Sequence, residues 1–165
     1  MAAQGHDQKN LEGRPVSRSV VQMTELVLPS HTNALGTIFG GVIMSWVDIA
    51  AAIAAQRHSS QPVVTASIDA LNFVAPVHLG WVVNLRASVN YAGKTSMEIG
   101  VRVDAENPIT GEKFHTASAY LTFVALGSNG KPRSVPPVIT ESIDEKRRYK
   151  AAEERRKLRL QSREK

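Results

Sequence analysis

Cysteine is missing from the 165 residues, which removes thiolate nucleophiles, disulfides and thiolate-held metals from the chemistry available. The five histidines, His6, His31, His58, His78 and His115, include no His-x-x-x-His pair, so no metal is expected. The Gly-x-Ser-x-Gly elbow of Ser-His-Asp hydrolases is also absent. No apolar run approaches the length of a membrane span, and Met1 to Arg18 lacks the apolar core of a secretory signal. A soluble, cytoplasmic protein is the expectation.

A surplus of charge in the body of the chain is lacking too. The formal net charge is +5, yet residues 141–165 hold 10 of the 20 basic and 6 of the 15 acidic residues, leaving residues 1–140 at +1. The basicity belongs to the C-terminal tail, whose interspersed acids suggest i, i+4 pairing on a solvated helix, and nucleic acid is not an expected partner. With 42% hydrophobic and 21% charged residues, the composition is that of one globular domain able to bury a core.

Along the chain, residues 1–15 read as a flexible lead-in and Val20 to Leu28 as a strand. Alanine content and length make Gly40 to about Arg57 a helix, apolar nearly all round and therefore buried on most sides. Four β-rich runs follow: Val63 to Val74, Val82 to Tyr91, Thr95 to Ala105 and Phe114 to Leu126. Hairpin-length links between the later runs demand antiparallel neighbours. The expected architecture is α+β, an antiparallel sheet curled around a long central apolar helix. Residues 16–138 would form that domain, with a charged helical tail over 139–165.

One carboxylate, Asp48, interrupts the central helix, where burial would raise its pKa. Gly40 and Gly41 open the same helix; amides at a helix start have no intrahelical acceptor and carry the positive end of the dipole, a ready oxyanion site. Eight residues of helix put Gly40 and Asp48 about 12 Å apart along the axis, so the two cannot serve one carbonyl from a single chain. A site using both needs a second copy. The local alternatives are a structural acid at Asp48, tight packing at Gly41 above all, and a turn residue at Asn33.

The blocks "NALGTIFGGVIMSWVDIAAAIAA", "VTASIDALNFVAPVHLG", "GKTSMEIGVRV" and "GKPRSVPPV", in that order, closely resemble the hotdog-fold acyl-CoA thioesterases, in the branch of short bacterial acyl-CoA hydrolases and cytosolic long-chain acyl-CoA hydrolases of animals. The resemblance spans about Val20 to Val138. It implies a homodimer at least, with hexamers of three dimers common among relatives, and a site at the two-fold interface where Asn33 of one copy faces Asp48 of the other. Asp48 would activate water or attack the thioester itself, Asn33 would orient water or carbonyl, and Gly40 with Gly41 would hold the oxyanion. Coenzyme A (CoA) would enter only as part of substrate and product, with no further cofactor.

CoA phosphates need cationic or amide contacts. Lys94, Thr95, Ser96 and Arg133 match family segments near the CoA moiety, and Arg57 is a further candidate. Val42, Trp46 and Phe73 are candidates to shape the acyl pocket, and His31 a proton shuttle. Asp69 and Phe73 would share a strand face, opposite Asn72. Two rival readings are a dehydratase or hydratase, which would need a histidine partnered with an acid, and a non-catalytic acyl-CoA sensor acting through its basic tail.

Overall fold

The computed structural model describes residues 11–69 and 71–163. Most of the lead-in therefore lies outside the described residues. Arg14–Pro15 (β1) does not run free, however; it pairs in parallel with Val138–Ile139 (β7). The remaining strands are Val21–Leu26 (β2), Val63–Ile68 (β3), Val82–Ala92 (β4), Ser96–Glu106 (β5) and Lys113–Ala125 (β6). They form one antiparallel sheet in the order β2-β4-β5-β6-β3. The helices are Gly40–Ser59 (α1) and Ile143–Arg163 (α2).

Period-two alternation in the long strands sends one set of side chains inward. Leu85, Ala87 and Val89 of β4, Ile99, Val101 and Val103 of β5, and Ala119, Leu121 and Phe123 of β6 are all buried. Against them α1 presents Ile43, Val47, Ala50, Ala51, Ala54 and Ala55. The small alanine side chains bring the helix backbone close to the curled sheet, burying a seam that sets where Asp48 emerges.

The C-terminus of α1 is fixed by cations, as its orphan carbonyls require. Ser60 takes a left-handed conformation at φ 55° and returns its N–H to the Gln56 carbonyl at 2.8 Å. Arg14 donates to the His58 carbonyl and to Ser60 Oγ, and Arg18 to the Arg57 carbonyl. The His58 ring is buried and donates from Nε2 to the Pro136 carbonyl at 2.8 Å, while its Nδ1 has no partner among the described residues. Burial pushes the His58 pKa down, with Arg14 and Arg18 adding to the effect and the Pro136 carbonyl opposing it.

Its contribution to stability is thus present above the unfolded value of 6.5 and lost as pH falls from there toward the lowered folded value, because only the unfolded chain takes up the proton. Urea midpoints measured from pH 7.5 to 5 should fall for the wild type, and His58→Gln should flatten that acid limb.

Three expectations need correction. First, α1 is not buried on most sides: Gly41, Met44, Ser45 and Ile49 form an exposed stripe at helical spacing, with Met44 40% and Ile49 50% accessible. Second, β3 stops at Ile68 instead of continuing to Val74. The ladder slips between Thr65 and Ser67, and beyond Ile68 the described residues keep the bonds from Asp69 N–H to Tyr120 O and from Val74 N–H to Thr116 O but no further ladder. Third, the tail helix is held mainly by the sheet, not by pairing along itself. Arg155 grips the buried Glu98 of β5 at 2.6 Å and stacks 3.7 Å over Tyr120, and Arg159 reaches Asp69 and Glu98 at 2.8 and 3.2 Å.

Candidate active site

Asp48 sits in mid-helix at the margin of the exposed stripe. It is half-buried in the single chain, not enclosed as its apolar surroundings in the sequence suggested. Opposite it lies β3, an edge strand. Thr65 Oγ1 donates to Asp48 Oδ1 at 2.7 Å, a charge-assisted bond that fixes the carboxylate. Oδ2 accepts no hydrogen bond among the described residues. The β3 bulge leaves Ala66 without a partner opposite, so Thr65 turns toward α1 while the next residues turn to the outer face.

Thr65 was not singled out from the sequence. The usable signal was faint: Thr65 is one of two hydroxyl residues, with Ser67, in an otherwise apolar run on the strand after the helix that carries the acid.

Asn33 occupies a tight loop closed by Asn33 N–H to Thr37 O at 2.9 Å, with Gly36 at φ 73° providing the left-handed step. Its Oδ1 accepts from the Leu35 and Thr37 amides at 2.9 and 3.2 Å, and Nδ2 donates to Thr37 Oγ1 at 2.9 Å. The turn role weighed from the sequence is therefore real. It fills the amide oxygen and leaves one Nδ2 hydrogen without an acceptor among the described residues. Phe39 N–H bonds to the His31 carbonyl at 2.9 Å, tying this loop to the start of α1.

At that start, the expected packing role of Gly41 is not found within the protomer: a Cβ there would meet nothing within 4 Å. The close neighbour belongs to Gly40, where the Phe73 ring would come to 3.3 Å of a Cβ. Beside Gly40 is a cavity of about 210 Å³ lined by Ile38, Ile43, Phe73 and Pro76 among others. Of the three residues expected to shape an acyl pocket, Phe73 lines this cavity, Trp46 is buried edge-on to His31 and Val42 packs against the core. His31 Nδ1 accepts the Leu28 amide at 3.1 Å, a structural duty. Asp69 and Phe73 do not share a face: the strand has ended between them, and Asp69 pairs with Arg159 while Phe73 turns to Gly40.

The candidate CoA residues fall into two groups. Lys94, Thr95, Ser96 and Arg133 come together, because the Lys94 carbonyl accepts from Val135 N–H, the Thr95 carbonyl from Ala125 N–H and the Ala125 carbonyl from Arg133 N–H, all at 2.8–3.0 Å. Val63 pairs with Ala125, so this cluster lies beside the first residues of β3, a short way from Thr65. Arg57 stands apart at the end of α1, donating to the Val20 carbonyl. Among the described residues, no three His, Asp or Glu side chains group as metal ligands, and no helix is long and apolar enough to cross a membrane.

Residues 35–112 match the family model of the thioesterase superfamily. An uncharacterised acyl-CoA thioester hydrolase of Bacillus subtilis is 43% identical over 134 residues, covering 81% of this chain and 78% of that protein. The mouse cytosolic acyl coenzyme A thioester hydrolase is 38% identical over 85% of this chain, which spans 37% of its length. Among solved structures, an apo-hexameric acyl-CoA thioesterase superimposes with a TM-score of 0.89 at 42% identity, over 92% of this chain and 97% of that one.

The Staphylococcus aureus acyl-CoA hydrolase, solved with butyryl coenzyme A and coenzyme A, gives a TM-score of 0.83 at 37% identity over 92% and 94% of the two chains. Variants of it carry alanine for an asparagine, an aspartate and a threonine that stand 15 and 17 positions apart, the intervals from Asn33 to Asp48 and from Asp48 to Thr65 here. Sheet order, the helix-borne acid and identity over most of the chain agree: the chain belongs to the acyl-CoA thioester hydrolases of the hotdog-fold thioesterase superfamily.

Proposed function

We infer that the protein hydrolyses fatty acyl-CoA to a free fatty acid and CoA, at sites built jointly by two copies of the chain. The observation that carries this is the separation of two half-sites along one helix. Asp48 and Thr65 meet near its middle, while the exposed amides of Gly40 and Gly41 and the loop of Asn33 stand at its start.

The surface that would unite them is exposed in the single chain. β3 is an unpaired edge with Val64 and Ile68 accessible, and the Gly41, Met44, Ser45 and Ile49 stripe of α1 lies beside it. An open, apolar strand edge calls for a partner. Pairing of β3 with its copy would join two sheets into one and lay the two α1 helices antiparallel. With the two-fold axis near Met44 and Ser45, Asp48 stands level with Gly41 of the partner subunit, since each is three to four residues from the axis. Known assembly of a close relative as a hexamer supports further association of such dimers.

In this arrangement the thioester carbonyl rests on the Gly40 and Gly41 amides, where negative charge developing on its oxygen is stabilised. The acyl chain starts in the apolar cavity beside Gly40. Asp48 Oδ2, from the other copy, either takes the proton from an attacking water or attacks the carbonyl carbon itself, expelling the CoA thiolate and leaving a mixed anhydride that water then hydrolyses to the free acid. By the first route the new C–O bond forms from water, the C–S bond breaks, and the proton held on Asp48 passes to the CoA thiolate. Asn33 Nδ2 positions the water or the carbonyl. The cytosolic relative supports a cytoplasmic setting.

The rival readings have less support. A dehydratase would need a histidine beside the acid, and His31 is engaged by Leu28 and Trp46. A sensor would have no need of a carboxylate fixed in mid-helix, yet Asp48 is held there by Thr65 at 2.7 Å.

Free-thiol release from acyl-CoAs of increasing chain length tests the reading. Hydrolysis of at least one member is expected; CoA thioester binding without thiol release would reject it. In the same assay Thr65→Val should lower kcat by about tenfold to a hundredfold, because a bond to a charged group is ordinarily worth about 1.5–3 kcal/mol and about 1.4 kcal/mol is tenfold in rate. Unchanged kcat would remove Thr65 from the site.

A further inference from the structure

We propose that α2 is part of the substrate site: Arg156 and Arg163, with the hydroxyls of Thr95 and Ser96, bind the phosphate groups of the CoA moiety. The proposal rests on the thioesterase reading and adds to it a binding element outside the four sequence blocks that carry the resemblance.

Between α2 and the outer face of the sheet is a cavity of about 280 Å³, lined by Ser67, Thr95, Ser96, Thr122, Arg156 and Arg163 among others. Its charge balance is one-sided. The two carboxylates nearest to it, Glu98 and Asp69, are neutralised by Arg155 and Arg159. Arg156 and Arg163 form no ion pair among the described residues, so two guanidinium groups remain over a partly open cavity of mixed lining. Exposed arginines are ordinary, but arginines lining a cavity already balanced in charge call for an anion.

Two further observations point to a ligand. Ser67 and Thr122, opposite each other in the β3 and β6 ladder, carry buried hydroxyls without a hydrogen-bond partner among the described residues. Both lie in the wall of this cavity, and buried polar atoms are ordinarily satisfied. At the β4–β5 hairpin, Arg156 Nη2 lies 3.4 Å from where a Cβ would stand on Gly93, so the missing side chain gives the guanidinium its place over the hairpin.

The position suits CoA. Ala66, the bulged residue of β3, borders the cavity, and the adjacent Thr65 holds Asp48 on the other face. Lys94 and Arg133 flank the same hairpin, whereas Arg57 is tethered to Val20 at the end of α1.

The test compares Arg156→Gln/Arg163→Gln with the wild type on two substrates that share an acyl group, acyl-CoA and the phosphate-free acyl-pantetheine. Calorimetric titration of free CoA runs in parallel. Lys146→Gln/Lys150→Gln, which removes the same charge from the other end of α2, is the control. The expected result is a drop of about tenfold or more in the ratio of kcat/KM for acyl-CoA over acyl-pantetheine, with CoA affinity weakened to match and the control unaltered.

A ratio within threefold of wild type overturns the proposal, even if total activity falls, because arginines acting only on folding would lower both substrates together. An equal drop in the lysine control also overturns it, since attraction by overall charge would then account for the effect. If the wild type hydrolyses neither thioester, the thioesterase reading fails, and the CoA titration still decides whether these arginines bind phosphate.

Discussion

Asp48→Asn should leave a folded, normally assembled protein whose kcat on its best acyl-CoA is lower by at least about 100-fold, the ordinary scale for a lost acid–base group. The substitution is nearly isosteric, and the amide oxygen still accepts from Thr65, whose bond to Asp48 is 2.7 Å in the native protein. What disappears is the carboxylate oxygen that takes the proton or attacks. Because the side chain is only half-buried in the single chain, no large change in protomer stability accompanies the loss. Thiol-release kinetics with thermal unfolding and sizing in parallel check it; retention of more than a tenth of wild-type kcat would show that the reaction does not pass through Asp48.

Met44→Glu should abolish activity by another route. Met44 is 40% exposed on the α1 stripe and near the proposed two-fold axis, so an acid there is harmless to the protomer. In a dimer it brings two like charges together in a desolvated seam and leaves both unpaired. Sizing should show a folded monomer with activity down by more than about 100-fold, because a monomer owns no complete site. A monomer with full activity would place Asp48 and its oxyanion donors in the same chain.

The elements were legible where one physical signal dominated. The alanine-rich run from Gly40 had length and propensity on its side, and the alternating runs after Val82 were separated by links too short for parallel crossovers. What was hidden depended on distant partners. That Glu98 is an outward-facing residue waiting for Arg155, 57 positions later, cannot be read from either local stretch. The β-rich run from Val63 to Val74 reads as one strand, because a bulge at Ala66 and the loss of ladder bonds leave little trace in composition.

The central helix reads as buried on most sides for a related reason: the pattern records which faces are apolar, not whether the cover comes from the same chain. Asp48 was visible as an anomaly and Gly40 and Gly41 as a helix start. Thr65, on an exposed edge, had nothing to distinguish it until the fold placed it against the acid.

The claim on which the account depends is that each site takes Asp48 from one copy and Asn33 with the glycine amides from another. Complementation between two inactive variants tests it most directly. Asp48→Asn and Asn33→Ala, each assayed alone and then mixed after reversible dissociation, should recover about a quarter of wild-type activity: random assortment makes half the dimers mixed, and each mixed dimer has one intact site of two. If Asp48 and Asn33 served a site within one chain, every site in every dimer would carry a defect, and the mixture would stay as inactive as its parents.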